Sequence, residues 1–207
     1  MKICGLTLPE QAAACAALGA WAVGVVLAEE SPRRLDVARA AAVLEAAGDS
    51  VARVGVFVGG SPGDIAAVAA ACRMTHVQLH GHVDVRAVAE ASGCEVIEAI
   101  PVAGPGSLER ARRSAADLVL VDAAVPGRHG GTGRRVDWAL LAEHPLGRPV
   151  VLAGGLTPEN VGEAVATVRP YAVDVASGVE SSPGVKDLDR VRLLIERARA
   201  AGRELAR

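Results

Sequence analysis

Eight short apolar runs, separated by alanine-rich segments, constrain the fold of this chain more than any other feature. The runs are rich in β-branched residues and occupy positions 2–4, 22–27, 52–58, 76–79, 94–100, 117–121, 149–153 and 171–176. Short runs that are apolar on both faces are typical of strands in a buried parallel sheet. The segments between them have helical spacing, most clearly at 9–18, 35–47, 65–72, 85–91, 108–114, 158–168 and 188–201.

This alternation predicts an α/β protein, and eight units predict that the sheet closes into a single (β/α)8 TIM barrel with parallel strands. The 207 residues are close to the lower limit for such a barrel, so we expect one catalytic domain over 1–207. The alternative is an open doubly wound sheet. That fold normally carries a G-x-G-x-x-G turn after a strand, and the chain has none.

Composition and charge narrow the class of partner. Hydrophobic residues make up 51% and charged residues 22%, and the formal net charge is −2, which gives no field that attracts nucleic acid or an anionic membrane. The four cysteines show no zinc-site spacing. The start of the chain does not resemble a signal peptide, and no apolar stretch approaches membrane-span length. We therefore expect a reduced, cytoplasmic enzyme.

Two strand ends carry glycines where a (β/α)8 barrel binds phosphate. Gly154 and Gly155 follow the seventh run, and Ser177 and Gly178 follow the eighth. The loops after strands seven and eight often hold a phosphate group, and glycine lets backbone N–H groups approach an anion closely. Tight turns that need positive φ are the alternative explanation. The presence of both loops favours a phosphate site.

Cys4 ends the first run directly before Gly5, at the barrel end where catalytic groups gather. A free cysteine is most often a small packed core residue. It is alternatively a nucleophile, for which the chain offers no evident triad, or a general base whose pKa is lowered by nearby donors or cations. Strand alternation puts Lys2 on the same side as Cys4, one layer deeper. Position alone leaves packing and catalysis open.

Asp122 ends the apolar run of the sixth strand. A carboxylate there is either a functional acid or a cap for the following loop. Burial would raise its pKa and keep a proton available for donation. A base on the first strand and an acid on the sixth, across the barrel from each other, suit proton transfer on a sugar phosphate.

Seven groups of motifs, in order along the chain, resemble the phosphoribosylanthranilate isomerase family. They are KICGLT at 2–7, SPR at 31–33, VGVFV at 54–58, VQLHG at 77–81, GGTG at 130–133 with DW at 137–138, LAGGLTPENV at 152–161, and VDVASGVE at 173–180 followed by PGVKD at 183–187. The resemblance extends from residue 2 to about residue 195. One glycine pair would be weak evidence, whereas seven groups in register are strong.

The resemblance implies an Amadori rearrangement in tryptophan biosynthesis, without a metal or an organic cofactor. N-(5-phosphoribosyl)anthranilate becomes 1-(2-carboxyphenylamino)-1-deoxyribulose 5-phosphate. By this resemblance Asp122 is the general acid on the furanose ring oxygen, and Cys4, as thiolate, is the base that removes the C2 proton. Arg33 binds the anthranilate carboxylate, for which a guanidinium is well shaped. Gln78 and His80 line the pocket near the fourth strand.

Two other functions compete with this one, and some properties stay open. A dual-substrate phosphoribosyl isomerase that also serves histidine synthesis resembles this barrel, but its strand-one base is an aspartate instead of Cys4. A catalytically silent barrel is disfavoured by the presence of both Cys4 and Asp122.

Asp174 points inward on the eighth strand and either orients the site or balances Lys2. The partner is a small phosphoribosyl substrate, and the sequence does not determine the oligomeric state.

Overall fold

A computed structural model describes residues 1–123 and 137–205 of the chain, and within these ranges eight parallel strands close into a barrel in sequence order. The strands are β1 (Lys2–Ile3), β2 (Ala22–Val26), β3 (Ala52–Val58), β4 (His76–His80), β5 (Glu95–Val102), β6 (Leu118–Ala123), β7 (Val150–Leu152) and β8 (Ala172–Val175). The predicted (β/α)8 barrel is confirmed. The glycine motif at 130–133 lies outside the described residues.

Helices follow the strands and form the outer layer. They are α1 (Pro9–Ala17), α2 (Val37–Ala46), α3 (Pro62–Ala71), α4 (Val85–Ser92), α5 (Pro105–Arg113), α6 (Trp138–Glu143), α7 (Val161–Val168) and α8 (Leu188–Leu205). Their starts have local causes, because the side chains of Asp36, Ser61 and Asp84 each accept a hydrogen bond from a first-turn N–H. Each cap satisfies a donor that has no partner inside the helix.

Side chains along each strand alternate between the barrel interior and the helix layer. On β2, Val23 and Val25 pack into the large cluster under the helices, whereas Ala22 and Val26 face inward. The interior contains one cluster made largely of small and branched residues of β2, β3, β5, β6 and β7. A second, smaller cluster contains Cys4. Strand alternation therefore places Cys4 inside the barrel, as the sequence predicts.

Two features of the region after β6 and β8 were not predicted from the sequence. Helix α6 is only six residues long, too short for a clear apolar period. Beyond β8, a 3₁₀ turn (Ser177–Val179) leads into an antiparallel hairpin of β9 (Glu180–Ser182) and β10 (Val185–Lys186).

The prediction that a helix begins at Pro158 is wrong: residues 158–160 form a turn, and α7 begins at Val161.

The two ends of the barrel differ in chemistry. At the amino ends of the strands, Trp21 packs edge-on against His76 and Tyr171, with ring centroids 5.6 and 6.0 Å apart. At the carboxyl ends, which we call the mouth, buried charged residues and glycine loops meet. Within the described ranges, no helix combines the length and apolarity needed to cross a membrane.

Candidate active site

Cys4 lies against a buried lysine in the barrel interior. Its side chain and that of Lys2 meet at Gly24 of β2, where an added Cβ would lie 3.1 Å from Cys4 Sγ and 3.3 Å from Lys2 Cε. Lys2 is fully buried, and its ammonium donates to Asp174 Oδ1 at 3.0 Å. The expected balance between Lys2 and Asp174 is therefore present. Gly24 has no side chain, and this leaves room for the thiol and the lysine stem.

Burial and charge act in opposite directions on the Cys4 thiol. Burial raises its pKa above the ordinary value and Asp174 adds to this, whereas Lys2 and Lys186 lower it, and the net shift is upward. Burial acts to lower the pKa of Lys2, but Asp174 and Cys4 outweigh it and raise the pKa, so the ammonium stays charged. In the absence of a ligand the thiol form of Cys4 is therefore favoured, and the lysines limit how far its pKa rises.

A second charged cluster is centred on Glu180 of the β9–β10 hairpin. Arg33 donates to its carboxylate through Nε and Nη2, at 2.7 and 2.6 Å. Lys186 Nζ donates to the same carboxylate at 2.7 Å and also to the carbonyl oxygen of Ala176 at 3.1 Å. Burial acts to raise the pKa of Glu180, but the hydrogen bonds from Arg33 and Lys186 outweigh it and hold the pKa below its ordinary value. Glu180 is therefore ionised at neutral pH.

Both lysines of this chain belong to these two clusters. Lysine and arginine together number 22, and Lys2 and Lys186 are the only lysines. Lys2 is fully buried and Lys186 is 3% exposed. Burial lowers the pKa of Lys186, and Glu180 offsets this only in part. All other basic residues of this type are arginines, whereas the two lysines lie where their compact ammonium groups lower the pKa of Cys4.

The glycines predicted to bind phosphate form a tight turn after β7 and a close backbone contact after β8. Gly154 and Gly155 have φ values of +88° and +61°, and their N–H groups donate to no oxygen of the described residues. At Gly178, a Cβ would overlap the carbonyl oxygen of Leu156, so the loop after β8 packs directly on the loop after β7. Both glycine loops are thus close-packed backbone that an anion can approach. The positive φ values of Gly154 and Gly155 also meet the requirement of the alternative explanation, a tight turn.

Asn160 fixes the loop after β7. Its side-chain amide donates to the carbonyl oxygen of Gly155 at 2.9 Å, and its oxygen accepts from the N–H of Thr157 at 2.9 Å. The side chain is buried, so both bonds are sheltered from water. These bonds hold the glycine pair against the start of α7, and they also explain why the helix begins after Asn160.

A cavity between the two loops brings the predicted acid to the predicted phosphate corner. It is lined by Asp122, Ala153, Gly154, Gly155, Leu156, Asp174, Val175, Ala176, Ser177 and Gly178. Asp122 is partly buried on β6 and lies opposite Pro101 in the β5–β6 register. Since Asp174 also pairs with Lys2, the cavity adjoins the cluster around Cys4. The cavity thus brings together the residues predicted on strands six, seven and eight, and Cys4 is connected to it through Lys2 and Asp174.

Gln78 and His80 occupy the inner face of β4. Gln78 Nε2 and His80 Nε2 lie 2.8 Å apart, and both side chains are buried. The buried Gln78 Oε1 has no hydrogen-bond partner among the described residues. A buried polar atom without a partner is costly, so this oxygen is suited to accept a hydrogen bond when a polar ligand fills the mouth. Neither residue lines the corner cavity.

Other possible sites carry less chemistry. Among residues 1–123 and 137–205, no group of three histidine, cysteine or acidic side chains is placed to hold a metal ion. A crevice of about 760 Å³ lies near the amino ends of β7 and β8, but it is lined by prolines, apolar residues, Arg148, Arg169 and Tyr171, with no thiol or carboxylate. The groups needed for proton transfer lie at the mouth.

Three residues of the site, Glu180, Lys186 and Asn160, were not predicted from the sequence. All three were part of the recognised motifs, but their importance depends on contacts between distant segments. Gln11 of α1, for example, holds β10 by exchanging two hydrogen bonds with the backbone of Lys186. The scarcity of lysine was a usable signal for Lys186. Nothing local to Glu180 shows that it pairs with Arg33, 147 positions away.

A closed (β/α)8 barrel with ionisable groups and a glycine-lined corner at its mouth is typical of enzymes that act on small phosphorylated substrates. The family model for N-(5'phosphoribosyl)anthranilate (PRA) isomerase matches residues 1–197. The chain belongs to this family, and the predicted resemblance is confirmed.

Individual relatives agree with this assignment. The chain is 44% identical to N-(5'-phosphoribosyl)anthranilate isomerase of Acidithiobacillus ferrooxidans, over 96% of this chain and 97% of that one. The solved phosphoribosyl anthranilate isomerase of Thermotoga maritima has a TM-score of 0.88 and 38% identity, covering 96% and 98% of the two chains. A further solved isomerase, in complex with reduced 1-(o-carboxyphenylamino)-1-deoxyribulose 5-phosphate, has a TM-score of 0.85 and 36% identity, covering 96% and 97%.

Proposed function

We propose that this chain catalyses the Amadori rearrangement of N-(5-phosphoribosyl)anthranilate to 1-(2-carboxyphenylamino)-1-deoxyribulose 5-phosphate in tryptophan biosynthesis. Residues 1–207 act as one barrel domain in the cytoplasm, without a metal or an organic cofactor. The observation that carries this proposal is the corner cavity, where Asp122 shares one space with both glycine loops and with Asp174, the partner of Lys2. Cys4 lies beside that lysine.

The substrate has two anionic groups, and the mouth offers a matching contact for each. The phosphate binds at Gly154, Gly155, Ser177 and Gly178, where backbone N–H groups are close-packed. The anthranilate carboxylate binds Arg33, the predicted guanidinium. The sugar then lies between the two ends, within reach of the acid and the base. The solved relative that holds a reduced product analogue supports this class of ligand.

Two proton transfers by side chains, followed by tautomerisation, complete the reaction. Asp122 donates a proton to the furanose ring oxygen, the C1–O bond breaks, and the amine nitrogen forms a Schiff base with C1. Cys4, as thiolate, removes the proton from C2 and gives an enolamine. The enolamine tautomerises to the ketone as C1 gains a proton and the C2 hydroxyl loses one. No electrons are exchanged with a cofactor, so acid–base groups suffice. Gln78 and His80 bind sugar hydroxyls from β4.

A thiolate base needs cations nearby, because burial raises the pKa of Cys4. Lys2 supplies one from below, held by Asp174, and Lys186 supplies another from the hairpin. Proton removal therefore becomes faster as the pH rises toward the pKa of the thiol. The two lysines limit how far burial raises that pKa, and so increase the thiolate fraction at a given pH.

The test is turnover by the purified protein with two ribonucleotides offered separately: N-(5-phosphoribosyl)anthranilate and the ribonucleotide of the related histidine-pathway isomerisation. After dialysis of the protein against a metal chelator, we expect turnover of the first substrate, measured as the appearance of the carboxyphenylamino product. Turnover of the second substrate alone would contradict the assignment. Loss of activity after dialysis, restored by a metal ion, would contradict the metal-free mechanism.

A further inference from the structure

The contact between Arg33 and Glu180 leaves part of the guanidinium unused. An arginine carries five N–H donors and presents two edges that can each hold a carboxylate in bidentate fashion. Glu180 occupies the edge formed by Nε and Nη2, at 2.7 and 2.6 Å. The second edge, formed by Nη1 and the other N–H of Nη2, takes no part in this contact. The Arg33 side chain is 13% exposed and that of Glu180 is 6% exposed, so part of the arginine side chain remains accessible.

Glu180 is itself held from several directions. Its Oε1 accepts from Lys186 Nζ at 2.7 Å and from the N–H of Gly184 at 3.2 Å. Gly184 is in turn fixed to the loop after β1, because the Thr7 hydroxyl donates to its carbonyl oxygen at 2.6 Å. The carboxylate is therefore a rigid point on the hairpin, to which the flexible Arg33 side chain is attached.

The stem of Arg33 lies directly beside the candidate base. A Cβ at Gly5, the residue after Cys4, would overlap Arg33 Cδ, and Gly5 has a φ of +72°. The arginine thus crosses the backbone behind Cys4 before it reaches Glu180. Fixing one edge of its guanidinium to Glu180 fixes the direction of the other edge relative to Cys4.

We propose that Glu180 is a positioning residue that holds Arg33 so that its second edge receives the aromatic carboxylate of the substrate. The inference rests on the proposed function and adds a specificity role to the β9–β10 hairpin. An arginine that is held in place loses less side-chain entropy on binding, so the benefit is largest for a ligand that carries the carboxylate. The opposite possibility is that Glu180 competes with the substrate for Arg33.

The test compares Glu180→Gln with wild type on two substrates: N-(5-phosphoribosyl)anthranilate and the corresponding phosphoribosyl adduct of aniline, which lacks the carboxylate. We expect Glu180→Gln to raise KM for the first substrate by about tenfold, the scale of a charge-assisted hydrogen bond, with a smaller change in kcat. KM for the aniline adduct should be unchanged. Glu180→Asp, which keeps the charge, should recover part of the loss.

Two further variants make the result specific. Arg33→Met should lose the same discrimination, and Arg33→Met combined with Glu180→Gln should be no worse than Arg33→Met alone. Glu159→Gln is the matched control, since Glu159 pairs with Arg190 at 3.3 Å on the surface. Circular dichroism verifies that each variant is folded.

Three results would overturn the inference while leaving the function intact: an unchanged KM in Glu180→Gln, an equal rise for both substrates, or a lower KM, which would indicate competition. If Glu180→Gln does not fold, Glu180→Asp is decided by the same comparison between substrates. Absence of wild-type turnover on N-(5-phosphoribosyl)anthranilate would instead overturn the proposed function, and the inference with it.

Discussion

Removing the charge of Lys2 should raise the pKa of Cys4. Lys2→Met keeps most of the side-chain volume against Gly24 but removes the ammonium that lowers the thiol pKa. An opposite charge within about 4–6 Å shifts a pKa by about one to three units, so we expect a rise of that size. Asp174→Asn has the opposite effect, because the Asp174 carboxylate raises the pKa of Cys4.

The assay is the absorbance of the thiolate in the ultraviolet as a function of pH, taken as the difference between each variant and the same variant with Cys4→Ala. The subtraction removes Cys15, Cys72 and Cys94, whose pKa values burial also raises. The wild-type midpoint should lie above that of an ordinary thiol. The midpoint should move up in Lys2→Met and down in Asp174→Asn.

Stability has to be separated from titration in this experiment. Lys2→Met leaves Asp174 buried without its cation, and breaking a buried pair in this way costs about 3–5 kcal/mol. The variant Lys2→Met with Asp174→Asn removes both charges and should recover much of the unfolding free energy, while its midpoint lies between those of the single variants. An unchanged midpoint in Lys2→Met, or an upward shift in Asp174→Asn, would refute the electrostatic argument.

Three further predictions concern the loops and the hairpin. Gly178→Ala places a Cβ on the Leu156 carbonyl oxygen, so the loops after β7 and β8 must move apart. We expect kcat/KM to fall by about tenfold or more, and unchanged kinetics would contradict the phosphate corner. Asn160→Ala removes both hydrogen bonds that close the loop after β7, which should cost about 1–3 kcal/mol in urea unfolding. An unchanged free energy of unfolding would contradict this role. The pKa of Glu180 is lowered in the folded state, so its ionised form stabilises the fold above a pH of about 4.3, and this contribution is lost as the pH falls. Glu180→Gln should therefore flatten the acid side of the stability–pH curve, and an identical curve would exclude this role.

The barrel was predictable because its signals are local and repeated. Most strands are short runs that are apolar on both faces, and burial of β2 over its whole length explains why the pattern is so clear there. β4 is also buried over its whole length, although its inner face is polar. Helix α6 was missed because six residues contain less than two turns, and α7 begins late because Asn160 uses its side chain to close a loop.

The candidate site was predictable to the extent that strand order determines proximity. Knowing that eight strands close in order places Cys4 on β1 next to β8 and puts Asp122 in the same mouth. Side-chain pairing could not be predicted from strand order. The pairing of Arg33 with Glu180 depends on how the β9–β10 hairpin folds back over the mouth. The pKa of Cys4 depends on how deeply the thiol is buried and on how close the two lysines lie to it. Neither the pairing nor the pKa follows from the spacing of residues along the chain.

The central claim is that Cys4 and Asp122 act as the base and the acid of one reaction. The most direct measurement is kcat/KM on N-(5-phosphoribosyl)anthranilate for Cys4→Ala and Asp122→Asn. The matched controls are Cys15→Ala, a buried thiol on α1, and Asp117→Asn, a carboxylate that accepts from the Val96 N–H near the other end of β6. The account predicts that each site variant loses about 10²–10⁴-fold while the controls stay within a few-fold of wild type. Wild-type kcat/KM in either Cys4→Ala or Asp122→Asn would contradict it.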